Sequence, residues 1–192
     1  MTRTFIALEM NEAVQRHLEE VIRQVARILP GVRWVDPAGI HLTLAFLGEL
    51  TDGELSGVKH AVEATVQRNT QFSYSLSRLG MFGSTRQPRV IWMGIEEPAG
   101  ALQRLQRDLT QELIRRNFPV DKRPFSPHLT LARIKAPLNP DELQQLRLLL
   151  DGPQQGLLSS ELYPVRHVAV MKSELSRTGA HYTPLQIYAL AE

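Results

Sequence analysis

Five consecutive residues, His-Leu-Thr-Leu-Ala, occur twice in this chain, at 41–45 and again at 128–132, 87 positions apart. Alternation of polar and apolar residues over such a run is the pattern of an extended strand with one buried face. Residues two apart on a strand share a face, so each copy sets an imidazole beside a hydroxyl on one side and two leucines on the other. The leucine face requires a core. The His-Thr face does not, and two such strands brought together would converge two imidazoles and two hydroxyls on one ligand.

The elements around the copies also repeat. Thr4–Glu9 reads as a strand, and Asn11 caps a helix carrying Val14, Leu18, Val21, Ile22 and Val25 at helical spacing, stopped by Pro30-Gly31. Val32–Val35 is a short extended piece, and a turn at Pro37–Gly39 leads into the first motif strand, about Ile40–Leu47. Thr51 and Glu54 have capping-box spacing and open a helix with Leu55, Val58, Val62 and Val66. Phe72, Tyr74 and Leu76 alternate with serines as a half-buried strand, and the Gly and Pro punctuation from Gly80 to Pro88 predicts a loop.

The order then returns. Arg89–Ile95 is strand-like, a helix runs from about Gly100 to Arg116, and the Lys122–Pro127 turn feeds the second motif strand. Asn139-Pro140 opens a further helix, and Tyr163–Lys172 and His181–Leu190 close the chain as strands separated by a Ser176–Gly179 turn. Strand, helix, motif strand, helix twice over predicts an internal duplication across residues 1–192. The expected fold is α+β: two similar lobes of antiparallel sheet backed by helices, packed as one unit.

The chain contains no cysteine, which excludes disulfides and thiolate metal sites. Its first apolar run is too short for a signal segment or a membrane span, so a cytoplasmic protein without membrane contact is expected. A formal charge of +2 permits a polyanionic partner without demanding one. Nothing calls for a second subunit, and a monomer is expected.

Imidazole titrates near neutrality, so of His41 and His128 one can serve as general base while the other serves as general acid. The hydroxyls of Thr43 and Thr130 can donate to the oxygens of a phosphoryl group. The natural reaction is in-line displacement at phosphorus, one imidazole activating the nucleophile and the other protonating the leaving oxygen. A zinc site is the competing reading, but it normally takes three protein ligands, and neither motif carries a carboxylate.

The two His-x-Thr-x tetrapeptides, His41–Leu44 and His128–Leu131, resemble the paired signatures of the 2H phosphoesterase superfamily. Several flanks are similar as well: 3–8, Val32-Arg33-Trp34-Val35, Ala45-Phe46-Leu47-Gly48, 88–94, 171–175 and 179–182. Within that superfamily the chain is similar to the bacterial and archaeal RNA 2′,3′-cyclic phosphodiesterases, first described as RNA 2′-5′ ligases. The resemblance implies a bilobal fold around a central cleft faced by both His-Thr pairs. It implies no metal and no cofactor, and RNA ends bearing a 2′,3′-cyclic phosphate as partner. The product would be a 2′-phosphate, with His41 as proton donor, His128 as proton acceptor, Thr43 and Thr130 on the phosphate oxygens, and Arg133 as a phosphate-binding residue. Arg133 stands at an odd offset from His128, so reaching the same face needs a bulge or a strand end. Run backwards, the same site would join a cyclic phosphate to a 5′-hydroxyl without ATP.

Other residues are weaker candidates. Phe46 and Trp34 read first as residues in or near the core and otherwise as rings to stack on a terminal base, and His181 and Tyr182 could line the cleft. Arg115, Arg116, Lys122 and Arg123 read first as cations complementing a helix C-terminus and otherwise as a phosphate-steering rim. His17 and His60 read as solvated helix-face residues. The sequence leaves open a small cyclic nucleotide or a 2′-5′ oligonucleotide as substrate, and a non-catalytic module binding RNA ends.

Overall fold

A computed structural model of the chain describes residues 1–177 and 179–192. Thr178, in the expected Ser176–Gly179 turn, lies outside the described residues. The strands are β1 (Thr2–Glu9), β2 (His41–Leu50), β3 (Phe72–Gly83), β4 (Pro88–Glu96), β5 (His128–Arg133), β6 (Tyr163–Val165), β7 (His167–Ser176) and β8 (Gly179–Ala189). The helices are α1 (Glu12–Ala26), α2 (Asp52–Val66), α3 (Ala101–Arg115) and α4 (Pro140–Asp151). No helix among the described residues is long and apolar enough to cross a membrane.

The caps form as the residue types require. The Asn11 side chain accepts from the Val14 amide, and Thr51 with Glu54 and Asn139 with Glu142 close reciprocal capping boxes. Val14, Leu18, Val21 and Val25 of α1, Val58 and Val62 of α2, and Leu102, Leu105 and Leu109 of α3 enter one core with Ile6, Leu8, Leu42, Ile91, Met93 and Leu129 of the sheets.

Two four-stranded sheets result, ordered β2-β1-β7-β8 and β5-β4-β3-β6, with every strand pair antiparallel. The repeated order β1-α1-β2-α2 and β4-α3-β5-α4 is present, but the sheets are not contiguous halves of the chain. β7 and β8, at the C-terminus, complete the sheet begun by β1, and Phe5 pairs with Met171, 166 positions away.

Three sequence expectations are corrected. Residues 80–83 are not loop: β3 continues through Gly83, its end paired with Pro88–Trp92, and only Ser84–Gln87 form the turn. A side chain at Gly80 would collide with the indole of Trp92, so glycine here serves strand packing. The expected strand Tyr163–Lys172 is divided at Arg166 between the two sheets. Tyr163 and Val165 are buried with β3, while Val168 and Val170 are buried in the other sheet. The Arg166 carbonyl accepts from the Leu190 amide between them. His17 is half-buried rather than fully solvated, its Nε2 2.9 Å from the Leu157 carbonyl.

Candidate active site

β1 is buried on both faces. Ile6 and Leu8 join the helix-backed core, while Phe5 and Ala7 form a separate small cluster with Ala169 and Met171 on the opposite face. On β2 and β5 the motif leucines are buried in the main core, which turns His41, Thr43, His128 and Thr130 to the helix-free side. β2 and β5 lie against each other, so the helix-free faces of the two sheets meet along the motif strands.

Both strands carry a bulge at the same place. Ile6 opposes Ala45 and Ala7 opposes Thr43, leaving Leu44 as the extra residue; Ile91 opposes Ala132 and Trp92 opposes Thr130, leaving Leu131. A bulge reverses the alternation beyond it. Leu131 and Ala132 are accordingly both buried, and the exposed Arg133 comes round to the face of His128 and Thr130. Phe46 makes the same return on β2 and is 69% exposed, not in or near the core as its type suggests, because the bulge turns it away from the leucines. The carbonyls freed by the bulges are taken by the other half of the chain. Gln106 Nε2 of α3 donates to the Leu44 carbonyl over a long 3.5 Å, and the Val35 amide donates to the Leu131 carbonyl at 2.8 Å.

The two imidazoles are held alike. His41 Nδ1 lies 3.0 Å from the Gly39 carbonyl and His128 Nδ1 lies 2.7 Å from the Ser126 carbonyl, in both cases two residues upstream. A carbonyl only accepts, so each Nδ1 carries the proton and each Nε2 of the neutral ring is left as the atom that exchanges protons with a ligand. The hydroxyls of Thr43 and Thr130 have no hydrogen-bond partner among the described residues, nor has the guanidinium of Arg133.

Their packing differs. His41 lies against Phe5 with ring centroids 4.6 Å apart, and Tyr182, 36% exposed, meets His41 edge-on at 4.7 Å and Phe5 at 5.4 Å. His128 meets Phe82 edge-on at 4.9 Å and lies 6.3 Å from Trp92, whose indole rests over Gly80. Burial holds the His41 pKa below its ordinary value, against the opposing effect of its bond to Gly39.

The expected site residues His41, Thr43, Phe46, Tyr182, His128, Thr130 and Arg133 therefore lie on the helix-free faces. Trp34 does not join them: it bridges Ala132 across the edge of β5 and packs on the core. Of the basic residues, Arg115 and Arg116 bind the buried Glu112 together with Arg68, and Arg123 binds Asp121. Arg115 does stand in the last turn of α3, and Arg116 also donates to the Glu112 carbonyl there, but the ion pairs to Glu112 and Asp121 are not part of the expectation. Phe5, Phe82 and Trp92, which pack on the two histidines, are not individually legible as site residues. Phe5 and Trp92 lie in the flanks 3–8 and 88–94 that resemble the family, but nothing in those segments marks the two rings themselves, and Phe82 carries only its place on a strand next to β4.

Two imidazoles whose Nε2 atoms have no hydrogen-bond partner among the described residues, each two residues from a hydroxyl that also has none there, form an arrangement able to move protons at a tetrahedral oxyanion such as a phosphoester. The chain belongs to the LigT like phosphoesterase family, whose model matches residues 8–92 and 94–182. It is 30% identical over 188 residues to an RNA 2′,3′-cyclic phosphodiesterase of Methanothermobacter thermautotrophicus, covering 98% of each chain. A protein of the same name from Thermotoga maritima is 33% identical over 79% of each chain. Among solved structures, TT0787 of Thermus thermophilus superposes with a TM-score of 0.79 at 29% identity, covering 98% of this chain and 97% of that one. Escherichia coli LigT complexed with 3′-AMP superposes with a TM-score of 0.75 at 25% identity, covering 100% and 99%.

Proposed function

We propose that this chain hydrolyses the terminal 2′,3′-cyclic phosphate of RNA to a 2′-phosphomonoester, using two histidines and no metal. The observation that carries the reading is the matched fixation of the two rings, with Nδ1 of His41 and His128 tied to the carbonyl two residues back and Nε2 left open on touching strands. The names of the relatives and the 3′-AMP complex of LigT, a ribonucleotide with its phosphate on the 3′ oxygen, support the substrate class.

In the reaction, His128 Nε2 takes a proton from water as the water oxygen bonds to phosphorus. The bond from phosphorus to the ribose 3′ oxygen breaks, and His41 Nε2 delivers its proton to that oxygen. Thr43, Thr130 and Arg133 hold the non-bridging oxygens, whose charge must be stabilised as the fifth bond forms. Burial favours neutral His41 in the empty site, and the anionic phosphodiester arriving beside it restores the imidazolium that the donor role needs. Phe46 offers an exposed ring for the terminal base. Every group comes from one chain, so a monomer suffices. The reverse path, attack by a 5′-hydroxyl in place of water, would give a 2′-5′ linkage.

The test is a short RNA ending in a 2′,3′-cyclic phosphate, incubated with the purified protein in EDTA and followed by phosphorus NMR. A 2′-phosphomonoester is the expected product. A 3′-phosphate would reverse the in-line geometry, and dependence on added metal would overturn the two-histidine mechanism.

A further inference from the structure

The helix-free face of the second sheet does not end at His128. Gly94 is the register partner of His128 on β4, and a bulge in β3 sets Ser77 and Arg78 opposite it. The Ser77 hydroxyl fills the space over Gly94, 2.3 Å from where a Cβ would stand. From there a groove of about 690 Å³ continues along the sheet, with Trp92, Ser77 and Ser75 on its floor and Leu158, Ser159 and Ser160 on its far wall. That volume is in the range of small-ligand sites.

The wall is built rather than incidental. The buried side chain of Gln154 accepts from the Leu79 amide at 2.8 Å and donates to the Leu79 carbonyl at 3.1 Å, as a neighbouring strand would. Arg78 donates to the carbonyls of Leu150 and Gly152, both at 2.9 Å. These bonds fasten the segment after α4 to β3 at its bulge. The hydroxyls of Ser75 and Ser77, on the floor, have no hydrogen-bond partner among the described residues.

We propose that this groove is a subsite for the nucleoside immediately 5′ of the cyclic-phosphate terminus. The proposal rests on the reading of the chain as an enzyme of RNA ends. The groove is continuous with that site through Trp92, which packs beside His128 and also lines the groove. Its chemistry is that of a nucleoside: an indole for a base and hydroxyls for ribose oxygens. Glu96, exposed and in register with Ser75, lies at the end away from His128. A carboxylate there repels a further phosphate, so the subsite holds one residue and not a longer chain.

The experiment compares kcat/KM for a mononucleoside 2′,3′-cyclic phosphate with that for a dinucleotide ending in the same group. The wild type is expected to prefer the dinucleotide by about tenfold or more, the worth of one stacked base. Ser75→Tyr fills the floor, and Ser159→Tyr fills the groove from the wall, where a loop tolerates the change. Each should bring the ratio close to one while mononucleotide turnover stays within about twofold of wild type. A ratio unchanged in both variants, or absent in the wild type, overturns the subsite. If the wild type turns over neither substrate, the enzyme reading itself fails. Binding of the dinucleotide, followed by tryptophan fluorescence, then decides the groove alone: weakened by the two variants it supports the subsite, unaffected it overturns it.

Discussion

Phe46 and Arg133 occupy the same place on the two motif strands: each follows its threonine by three residues, and each is returned to the histidine side by a bulge at the leucine between. One backbone device thus delivers an aromatic ring to one side of the site and a cation to the other. On the proposed reading the asymmetry gives the site a direction, the terminal base toward β2 and the phosphate charge toward β5.

Exchange of these two residues should therefore be costly to turnover and cheap to stability. Arg133→Ala is expected to lower kcat/KM by about 10- to 100-fold, the worth of charge-assisted bonds to phosphate, with Lys recovering only part. Phe46→Ala should raise KM by a smaller factor. Both side chains are exposed, so melting should shift by less than about 0.5 kcal/mol equivalent. Full activity in Arg133→Ala would remove it from the site.

His41→Ala and His128→Ala should each reduce kcat by about 10²- to 10⁴-fold, and the double variant by far less than the product of the two. Circular dichroism of each variant should remain that of the wild type. Turnover retained in either one would sink the acid–base assignment.

Burial of His41 has a consequence for stability as well as rate. Its folded pKa lies below its ordinary 6.5, so the unfolded chain binds the proton more readily. The folded state is unpenalised above 6.5, loses stability as pH falls from 6.5 to the folded value, and loses nothing more below it. Urea titrations of wild type and His41→Gln across pH 5 to 7 should show a steeper acid loss in the wild type. Parallel curves would mean that His41 is not held neutral.

Trp92 is placed by packing, since its Nε1 is buried with no acceptor. In Gly80→Ala the new methyl would stand 2.2 Å from the indole, which must then move off β3 and away from Phe82 and His128. The expected result is about 1–3 kcal/mol of destabilisation, a shifted tryptophan emission and reduced kcat. Adding Trp92→Leu should recover stability without recovering rate. A stable, fully active Gly80→Ala would show that the indole does not support His128.

Glu112, 5% exposed, accepts from Arg68 and Arg115, both at 2.6 Å, and from Arg116, whose guanidinium also reaches the Glu112 carbonyl. Arg116 foremost, with Arg68 and Arg115, holds its carboxyl below the ordinary carboxylate range. Glu112→Gln should cost about 1–3 kcal/mol, moderated by the partial exposure of the arginines, and leave kcat/KM unchanged. A large loss of affinity for RNA would instead return Arg115 and Arg116 to a phosphate-steering role.

How much of this was readable in advance follows from the range of the interactions. The His-Thr face is local, because alternation alone places His41 with Thr43 and His128 with Thr130. Arg133 was readable only as a conditional, since its odd offset demanded a bulge that the consecutive apolar pair Leu131-Ala132 allows but does not announce. The roles of donor and acceptor came from family resemblance. What fixes the rings, the carbonyls of Gly39 and Ser126, is backbone and leaves no mark in residue identity. Phe5, Phe82 and Trp92 reach the histidines only through strand pairing, and Gly80 looked like turn punctuation because a packing requirement and a turn select the same residue.

The exchange of strands between the sheets bears on how the protein is made. Synthesis runs from β1 toward β7, so Phe5 emerges 166 positions ahead of its partner Met171. Until then β1 has one open edge, and Phe5 and Ala7 lack Ala169 and Met171. The His41 side of the site therefore cannot close until Met171 has been made, however early the motif strand itself is finished.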